Sequence, residues 1–477
     1  MNSDPAGIAP SPQPEKPATE PPPARNLSPL RMIWRETAKY PRQVLLALLA
    51  LIVTSSATLA IPAGFRLIID RGFGEGGDVV TIGRWFRYLL VIVGVLGLGT
   101  AVRFYCVSWL GERVIADIRI KVQNNLLRLS PGFFEENSPN EISSRMTSDT
   151  ALIEQVVGTT VSVALRNFIT GVGGVAILFT LAPMMTAGLL VGIVVVMFPL
   201  LAFARRIRTI SRTSQDRVAD IGAMVAEVLG AMKVVQAFNQ EPREQVRFTK
   251  SVEESFAVAR RRFRLRAVIS GLAIVAIFSA IVLLVWQGAI GVAEGTISSG
   301  TIVQIVFVSV IVAGSFGALT EVYGDLLRGA GAASRLSELL NERPQITAPE
   351  RPMSLPSPAR GQLSFEKVTF RYPTRLETSA LADFSLTVEP GETVAIVGPS
   401  GAGKSTLFQL AERFYDPQAG TIKLDGVPLT SVDPAEVRRR MALVPQEGIL
   451  FAASALDNLR YGNWDASEEA VWEAARA

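Results

Sequence analysis

A glycine-rich stretch late in the chain carries the residues with the clearest chemistry. Residues 396–407 read IVGPSGAGKSTL, in which Gly398, Gly403, Lys404 and Ser405 match the pattern G-x-x-x-x-G-K-[ST]. Glycines let the backbone wrap closely around an anion, and the N–H groups of the loop and of a following helix N-terminus donate to phosphate oxygens. A lysine adds positive charge beside the outer phosphates, and a serine hydroxyl is a ligand for Mg²⁺. The stretch therefore predicts a site for a nucleoside triphosphate and its magnesium ion.

The segments on either side of this loop supply the setting that it needs. ETVAIV at 392–397 predicts a strand, and STLFQLAERF at 405–414 has the apolar spacing of a helix. The alternative interpretation is a glycine-rich turn without a ligand, which the strand before and the helix after disfavour. The predicted nucleotide contacts are Gly398, Pro399, Ser400, Gly401, Ala402, Gly403, Lys404, Ser405 and Thr406.

The composition of the chain indicates a membrane protein. The 477 residues are 49% hydrophobic and only 19% charged, and their mean hydropathy is positive at +0.32. The sequence contains no histidine, which excludes histidine-dependent catalysis and histidine metal ligands. Its single cysteine, Cys106, lies in an apolar run, so that an intrachain disulfide is excluded.

Six apolar runs are long enough to cross a bilayer as helices. Spanning takes about 20 predominantly apolar residues at about 1.5 Å each, because backbone amides in hydrocarbon must be hydrogen-bonded within their own segment. The predicted spans are residues 44–65, 85–110, 160–182, 184–205, 267–293 and 296–320.

Basic residues accumulate on one side of these spans. Arg205 to Arg266 contains fourteen Lys and Arg residues and Arg103 to Arg166 contains seven, as cytoplasmic segments do. Both chain ends and both long connections are therefore predicted to be cytoplasmic, although the first outer connection also carries four arginines. The helical periodicity of the long connections predicts arms that continue the spans into the cytosol.

The remaining segments complete the predicted organisation. Nine prolines in the first thirty residues indicate a disordered tail. LRMIWRETAKY, from residue 30, has the mixed character of a short helix in the headgroup region, with a polar linker as the alternative. Five prolines between Pro344 and Pro358 mark a linker. The predicted domains are a tail at 1–29, a transmembrane domain at 30–330, a linker at 331–360 and a nucleotide-binding portion at 361–477.

Three motifs complete a pattern that resembles a known family. GPSGAGKST, RFYDPQAGTIKLDGVPL and MALVPQEGILFAASALDNLRYG, following six spans with long arms, are similar to a half-size ATP-binding cassette (ABC) exporter of the bacterial lipid and multidrug type. The resemblance implies an all-α six-helix transmembrane domain followed by a partial α/β P-loop domain. It also implies ATP-driven export of a lipophilic substrate across the bacterial inner membrane, by a homodimer or a heterodimer of half-transporters, without a nucleic acid partner.

The resemblance also assigns roles to individual residues. Tyr372 in FRYP matches the tyrosine that stacks on adenine, with an ordinary strand aromatic as the alternative. Gln446 in VPQE matches the glutamine that senses Mg²⁺ and the γ-phosphate, so that Ser405 and Gln446 are the expected metal ligands. Residues 133–149 and 213–227 resemble the coupling helices that press on the nucleotide-binding domains.

Several family motifs are missing from the sequence. It contains no LSGGQ-type signature, no apolar run ending in Asp-Glu after the P-loop, and no switch histidine; RLIID at 66–70 is taken as unrelated to the second of these. We therefore expect a fragment of a longer transporter or a degraded copy, and no ATP hydrolysis by this chain alone. The alternative function is a nucleotide-binding, non-hydrolysing membrane regulator; a membrane-anchored P-loop kinase is disfavoured by the six spans.

Two arginines near the inner ends of the spans have two possible roles. Arg103 and Arg166 either meet anionic headgroups or extend their side chains to the bilayer boundary.

Overall fold

A computed structural model describes residues 27–73, 79–188, 217–446 and 448–477 of the chain. These residues form two compact units, each made of two chain segments. The first unit contains the described residues within Met1–Val122 and Ser144–Glu338, and the second contains those within Gln123–Ser143 and Leu339–Ala477. The predicted tail at 1–29 lies almost wholly outside the described residues.

The first unit is built from helices. The helices are α1 at Leu30–Thr37, α2 at Pro41–Gly72, α3 at Val79–Leu126, α5 over Pro139–Leu181, α6 at Met232–Ala237, α7 at Glu241–Ala293 and α8 at Ser299–Asn341; residues 183–188 and 217–230 are also helical. Within α5, α-helical turns cover Pro139–Ser144, Thr150–Gln155 and Val161–Leu181, and π-helical turns cover Arg145–Asp149 and Val156–Thr160. Helix α3 begins in the first unit and ends in the second.

Five helices of the described chain are long and apolar enough to cross a membrane, namely α2, α3, α5, α7 and α8. Five of the six predicted spans fall on them. The sixth, at 184–205, lies almost wholly outside the described residues. Four of these helices far exceed the length of a span: α3 has 48 residues, α7 has 53, and α5 and α8 have 43 each, against about 20 residues for a span. Each of them continues beyond the apolar part of its sequence, and the assignment of these extensions to cytosolic arms stays a prediction.

Small residues let the helices of the first unit approach closely. A Cβ on Gly111 of α3 would lie 3.0 Å from the Cα of Gly158 in α5. A Cβ on Gly174 of α5 would lie 2.6 Å from a methyl group of Val312 in α8, and the hydroxyls of Thr170 and Ser315 on the same two helices lie 3.0 Å apart. Close backbone contact and hydroxyl hydrogen bonds are the usual means of association between helices in lipid.

Asp70 joins the end of α2 to the start of α8. Its carboxylate accepts hydrogen bonds from the Gly300 backbone N–H at 2.9 Å and from the Ser298 hydroxyl at 2.7 Å. A helix N-terminus favours negative charge because its first N–H groups lack partners within the helix. Asp70 is thus occupied as a helix cap, which supports the interpretation that RLIID has no part in a nucleotide site.

The second unit contains an antiparallel sheet with a helix packed on it. Strands β1 at Leu363–Phe370, β2 at Leu381–Val388, β3 at Ala419–Leu424 and β4 at Val427–Pro428 pair in the order β2-β1-β3-β4. The helices are α4 at Pro131–Glu136, α9 at Lys404–Ala411, α10 at Pro434–Arg439, α11 at Ala455–Leu459 and α12 at Glu468–Arg476. Phe365 lies opposite Leu386 on one side and Ile422 on the other, and the core between the sheet and α9 includes Phe370 and Leu410.

Two expectations about this region are corrected. The strand predicted at 392–397 is wrong, because none of the four strands of the described sheet pairs with it and a strand requires a hydrogen-bonded neighbour. Val397 is consequently 87% exposed. The predicted linker at 331–360 begins too early, since α8 continues to Asn341. The alanines of the GAGAAS sequence there, Ala330, Ala332 and Ala333, are buried and pack in the helix.

Replacing Asp70 with alanine tests the cap on α8. We expect Asp70→Ala to lower the free energy of unfolding by about 1–2 kcal/mol, because it removes two hydrogen bonds at a helix N-terminus. The thermal unfolding midpoint in detergent measures the change. Glu294→Ala is the matched control, since Glu294 is an exposed acid in the connection that leads to α8. Equal midpoints for the two variants would contradict the assignment.

Candidate nucleotide-binding site

The loop before α9 has a backbone that only glycine accommodates. Gly401 and Gly403 have φ angles of +83° and +85°, in the region that disfavours residues with a Cβ. A Cβ on Gly403 would also lie 2.5 Å from the carbonyl oxygen of Ala380, at the start of β2. Helix α9 begins at the next residue, Lys404, so the loop delivers the chain directly to a helix N-terminus.

The lysine of the motif bridges its own loop. Its ammonium group donates hydrogen bonds to the carbonyl oxygens of Gly398 at 2.9 Å and Pro399 at 2.8 Å. The positive charge is thereby held inside the ring of loop backbone instead of extending into solvent. Ser405 is exposed at the first turn of α9, whereas the next residue, Thr406, is buried. The lysine, the exposed serine and the start of α9 are therefore neighbours at the end of the loop.

Tyr372 is hydrogen-bonded to the helix that follows the loop. Its hydroxyl donates to the side-chain oxygen of Gln409 at 2.6 Å and lies 3.0 Å from the Thr406 hydroxyl. Its half-buried ring meets Phe370 edge-on at 5.0 Å and Tyr415 at 5.6 Å between centroids. These contacts hold the ring beside α9, and its stacking on adenine stays a prediction.

Two arginines secure the other end of α9. Arg438 donates from its guanidinium to the carbonyl oxygens of Glu412 and Arg413, both at 3.1 Å. Arg413 is itself buried, donates to the carbonyl of Val432 at 2.7 Å and pairs with Asp416 at 3.1 Å. Cations are favourable at a helix C-terminus, where carbonyls lack helical partners. Burial raises the pKa of the Glu412 carboxyl, against the lowering effect of Arg438.

Helix α4, which follows α3 in the chain, rests on an aromatic residue of the nucleotide-binding portion. Gly132 of α4 faces the ring of Tyr415, and a Cβ on that glycine would lie 3.0 Å from a ring carbon. Tyr415 is 5% exposed; burial, with a further contribution from the nearby Glu135 carboxylate, raises the pKa of its phenol. The Ile346 N–H also donates to Ser130 Oγ, just before α4, at 3.1 Å.

A chain of contacts therefore runs from α4 to the phosphate-binding loop. Gly132 touches Tyr415, Tyr415 meets Tyr372, and Tyr372 is hydrogen-bonded to α9. Sequence reasoning placed a coupling helix at 133–149 but missed Tyr415, although RFYDP stands in one of the quoted motifs. The signal available was a large aromatic directly after the helix of the P-loop.

Gln446 and the second predicted coupling segment, at 213–227, have few described contacts. Gln446 lies exposed at a bend, and its side chain makes no hydrogen bond to the described residues; its role as an Mg²⁺ and γ-phosphate sensor stays a prediction. Of the second predicted coupling segment, residues 213–216 lie outside the described part of the chain, and residues 217–227 are helical.

The residues present fit a triphosphate and its metal. Gly401 and Gly403 are left-handed, the Lys404 ammonium lies against the loop carbonyls, and Ser405 is exposed at the start of α9. Loop N–H groups, an ammonium and a hydroxyl are the donor set that P-loops use for phosphate and Mg²⁺.

Long apolar helices combined with a phosphate-binding loop define a multi-pass membrane protein with a nucleotide-binding portion. The family model described as ABC transporter transmembrane region matches residues 44–316, and that described as ABC transporter matches residues 381–477. The chain belongs to the ABC transporter family, whose ATP-binding domain its residues 381–477 match. The family resemblance read from the sequence is confirmed at this level.

Curated relatives agree with this assignment. The chain is 26% identical to the "Putative export ATP-binding/permease protein" of Rickettsia felis over 91% of its own length and 75% of that relative. It is 33% identical to the mitochondrial potassium channel ATP-binding subunit of Rattus norvegicus, over 81% of the chain and 54% of that relative. It is 30% identical to the mitochondrial ATP-dependent permease MDL1 of Schizosaccharomyces pombe, over 89% of the chain and 59% of that relative. The chain thus spans about half to three quarters of these proteins.

Alanine at Gly403 tests the geometry of the loop. We expect Gly403→Ala to weaken binding of a fluorescent ATP analogue at least about tenfold, because the new Cβ collides with the Ala380 carbonyl and displaces the start of α9. Gly426→Ala is the matched control: its φ is +79° but its Cβ would meet nothing within 4 Å. Unchanged nucleotide affinity in Gly403→Ala would show that the loop tolerates a side chain there.

A double-mutant cycle tests the contact between α4 and Tyr415. We expect Gly132→Val to cost about 1–3 kcal/mol of stability, because the ring must shift, and to cost clearly less when Tyr415 is already leucine. Faster hydrogen exchange of the amides at 131–136 would report that α4 no longer packs on Tyr415. Additive effects of the two substitutions would mean that the residues do not act through one contact.

Proposed function

We propose that the chain is one half of an ATP-driven exporter that moves a lipophilic compound across a membrane. The observation that carries the proposal is the loop geometry at Gly398–Thr406, a triphosphate cradle in a chain whose other portion is a set of membrane-spanning helices. The export-type relative in Rickettsia felis supports the direction of transport and a bacterial setting. The lipid or multidrug class of substrate rests on the motifs quoted from the sequence.

The loop and its neighbours have separate tasks in this proposal. Lys404 leaves the carbonyls of Gly398 and Pro399 to meet the outer phosphates, and Ser405 offers a ligand to magnesium, with Gln446 as the second proposed ligand. Bound Mg²⁺ supplies charge neutralisation for the phosphates. Tyr372 holds the adenine ring while its hydroxyl keeps contact with α9.

The same contacts give nucleotide binding a route to the spans. Any shift of α9 displaces Tyr372 through its two hydrogen bonds, and Tyr415 passes the displacement to Gly132 of α4. In the chain, α4 lies between the spans α3 and α5. A ligand changes a conformational equilibrium only through contacts that differ between the states, and this aromatic series provides such contacts.

The assembly and location follow from the family and from the charge distribution. We infer a homodimer or a heterodimer of half-transporters in the bacterial inner membrane, with both chain ends in the cytoplasm. The accumulation of Lys and Arg at 205–266 supports this orientation.

Removal of the loop lysine tests nucleotide binding. We expect Lys404→Ala to weaken the binding of labelled ATP at least about tenfold, because the substitution removes the positive charge from the loop. Lys423→Ala is the control; it removes a lysine that pairs with Glu366 on the sheet. Binding is measured rather than hydrolysis, since binding needs only the loop that this sequence contains. Equal ATP affinity in Lys404→Ala and Lys423→Ala would contradict the assignment of the loop as the nucleotide site.

Transport is tested separately in proteoliposomes that contain the complete transporter. ATP-dependent movement of a lipid or a drug, lost in Lys404→Ala, is the expected result. Nucleotide binding without movement of any compound in such a panel would favour the membrane regulator instead.

A further inference from the structure

An apolar cavity lies against the short helix α1 in the first unit. It encloses about 210 Å³, many times the space that a single water needs. Helices α1, α2, α3 and α5 form its walls, with one residue from α8. The hydroxyls on the wall already have partners: Thr37 donates to a carbonyl of its own helix at 2.9 Å, and Ser162 accepts from Arg103 at 2.6 Å. A hydrocarbon chain suits such walls, because water in the cavity would find almost no hydrogen-bonding partner.

The cavity follows one face of α2 from the polar end of that helix into its apolar part. Its lining on α2 consists of Val44, Ala47, Leu48 and Leu51, which have the spacing of a single helix face. Val44 begins the apolar run of α2, and the rise from there to Leu51 is about 10 Å. The lining of α5 advances in the same direction, from Val156 toward the charge-free run that begins at Asn167. A hydrocarbon chain that enters beside α1 therefore extends toward the middle of the bilayer, as the acyl chain of a lipid does.

Two side chains place the opening of the cavity between α1 and α2. Trp34 and Leu48 both line the cavity, yet they are 53% and 40% exposed. Each of them thus has one part toward the cavity and another toward the surroundings. Helix α1 has the mixed composition of an interfacial helix, and tryptophan is enriched at the level of lipid headgroups. The opening therefore has the character expected at the depth where a lipid headgroup joins its acyl chains.

Two arginines of α1 flank this opening. At about 100° per residue, Arg31 and Arg35 lie about 60° and about 100° from Trp34, on the same side of it around the helix, and their spacing of four makes them neighbours. Both are exposed, and neither forms an ion pair with a carboxylate in the described part of the chain. The acidic residue of the same helix, Glu36, is buried and pairs with two lysines instead. The two guanidinium groups are therefore available to an anion beside the opening.

We propose that this site binds one anionic phospholipid, with its phosphate at Arg31 and Arg35 and one acyl chain passing Trp34 into the cavity. An amphiphile is the occupant because charge and apolar space adjoin, whereas a free phosphate would leave the cavity unfilled. In the proposed orientation this end of α2 is cytoplasmic, so that the lipid belongs to the cytoplasmic leaflet, where basic groups attract anionic headgroups. The site goes beyond the proposed export, since it requires neither nucleotide nor a transport cycle.

Lipid binding to the complete chain, in detergent and without nucleotide, tests the charged part of the site. Native mass spectrometry with phosphatidylglycerol and phosphatidylcholine of identical acyl chains gives the two affinities. We expect one tight phosphatidylglycerol site, and at least about tenfold weaker phosphatidylglycerol binding in the double variant Arg31→Gln/Arg35→Gln, because charge-assisted hydrogen bonds are lost. Arg42→Gln is the matched control and should change neither affinity, since Arg42 is also exposed but lies about 160° around α2 from the cavity residue Val44.

A second experiment tests the path of the acyl chain. Phosphatidylglycerol with a photoreactive group midway along its acyl chain should label residues 156–165 of α5, which line the cavity, more strongly than the exposed apolar residues 267–293 of α7. Ala47→Trp places an indole in the cavity and should remove this preference and weaken phosphatidylglycerol binding about tenfold. Its thermal midpoint should stay near that of the parent chain, because the cavity has room for the ring.

Three results would overturn the proposal. They are unchanged phosphatidylglycerol affinity in the glutamine or the tryptophan variant, equal labelling of 156–165 and 267–293 in the parent chain, and binding of glycerol phosphate as strong as that of phosphatidylglycerol. Because no nucleotide is present, these outcomes are independent of whether Lys404 binds ATP.

Discussion

The need to satisfy every backbone amide inside hydrocarbon constrains this structure more than any single contact. Within the described residues, only helices meet that need, and a helix that is already formed continues at little cost as long as its side chains find solvent or neighbours. The 48 residues of α3 and the 53 of α7 illustrate the consequence. Both helices therefore continue without interruption from apolar into polar sequence.

At the nucleotide site, rigidity has a different origin. Gly403 brings the backbone so close to Ala380 that no side chain fits, and Lys404 fixes the loop through two of its own carbonyls. Arg438 secures the far end of α9. A helix held at both ends moves as one body, and the hydroxyl of Tyr372 is attached to its middle. The aromatic contacts through Tyr415 then matter because rings pack with defined geometry and transmit small shifts.

Cations of the described residues differ in how their charge is compensated. Arg413 pairs with Asp416 and Lys423 with Glu366 in the nucleotide-binding portion, and Arg335 pairs with Asp149 in the first unit. Within the apolar part of α3, Arg103 has the Ser162 hydroxyl as its hydrogen-bond acceptor among the described residues, and the charge of Arg166 repels it. Removing a charge from water is expensive unless a counter-charge compensates, so Arg103 stands at an energetically costly position.

Much of this protein is determined by local sequence. Apolar runs of bilayer length predicted five spans that the structure describes as helices, because the period and length of such runs leave few alternatives. The G-x-x-x-x-G-K-[ST] spacing predicted the loop and the start of α9, since left-handed glycines and a helix N-terminus are properties of a few consecutive residues. The tertiary structure alone decided the packing of α4 on Tyr415, the capping of α8 by Asp70 and the hydrogen bond of Arg103 to Ser162. It also overruled the strand at 392–397, whose apolar composition is that of a strand but whose hydrogen bonds need a partner from elsewhere in the chain. Contacts of this kind join residues tens or hundreds of positions apart, and a pattern of neighbouring residue types carries no information about which distant surface will meet it.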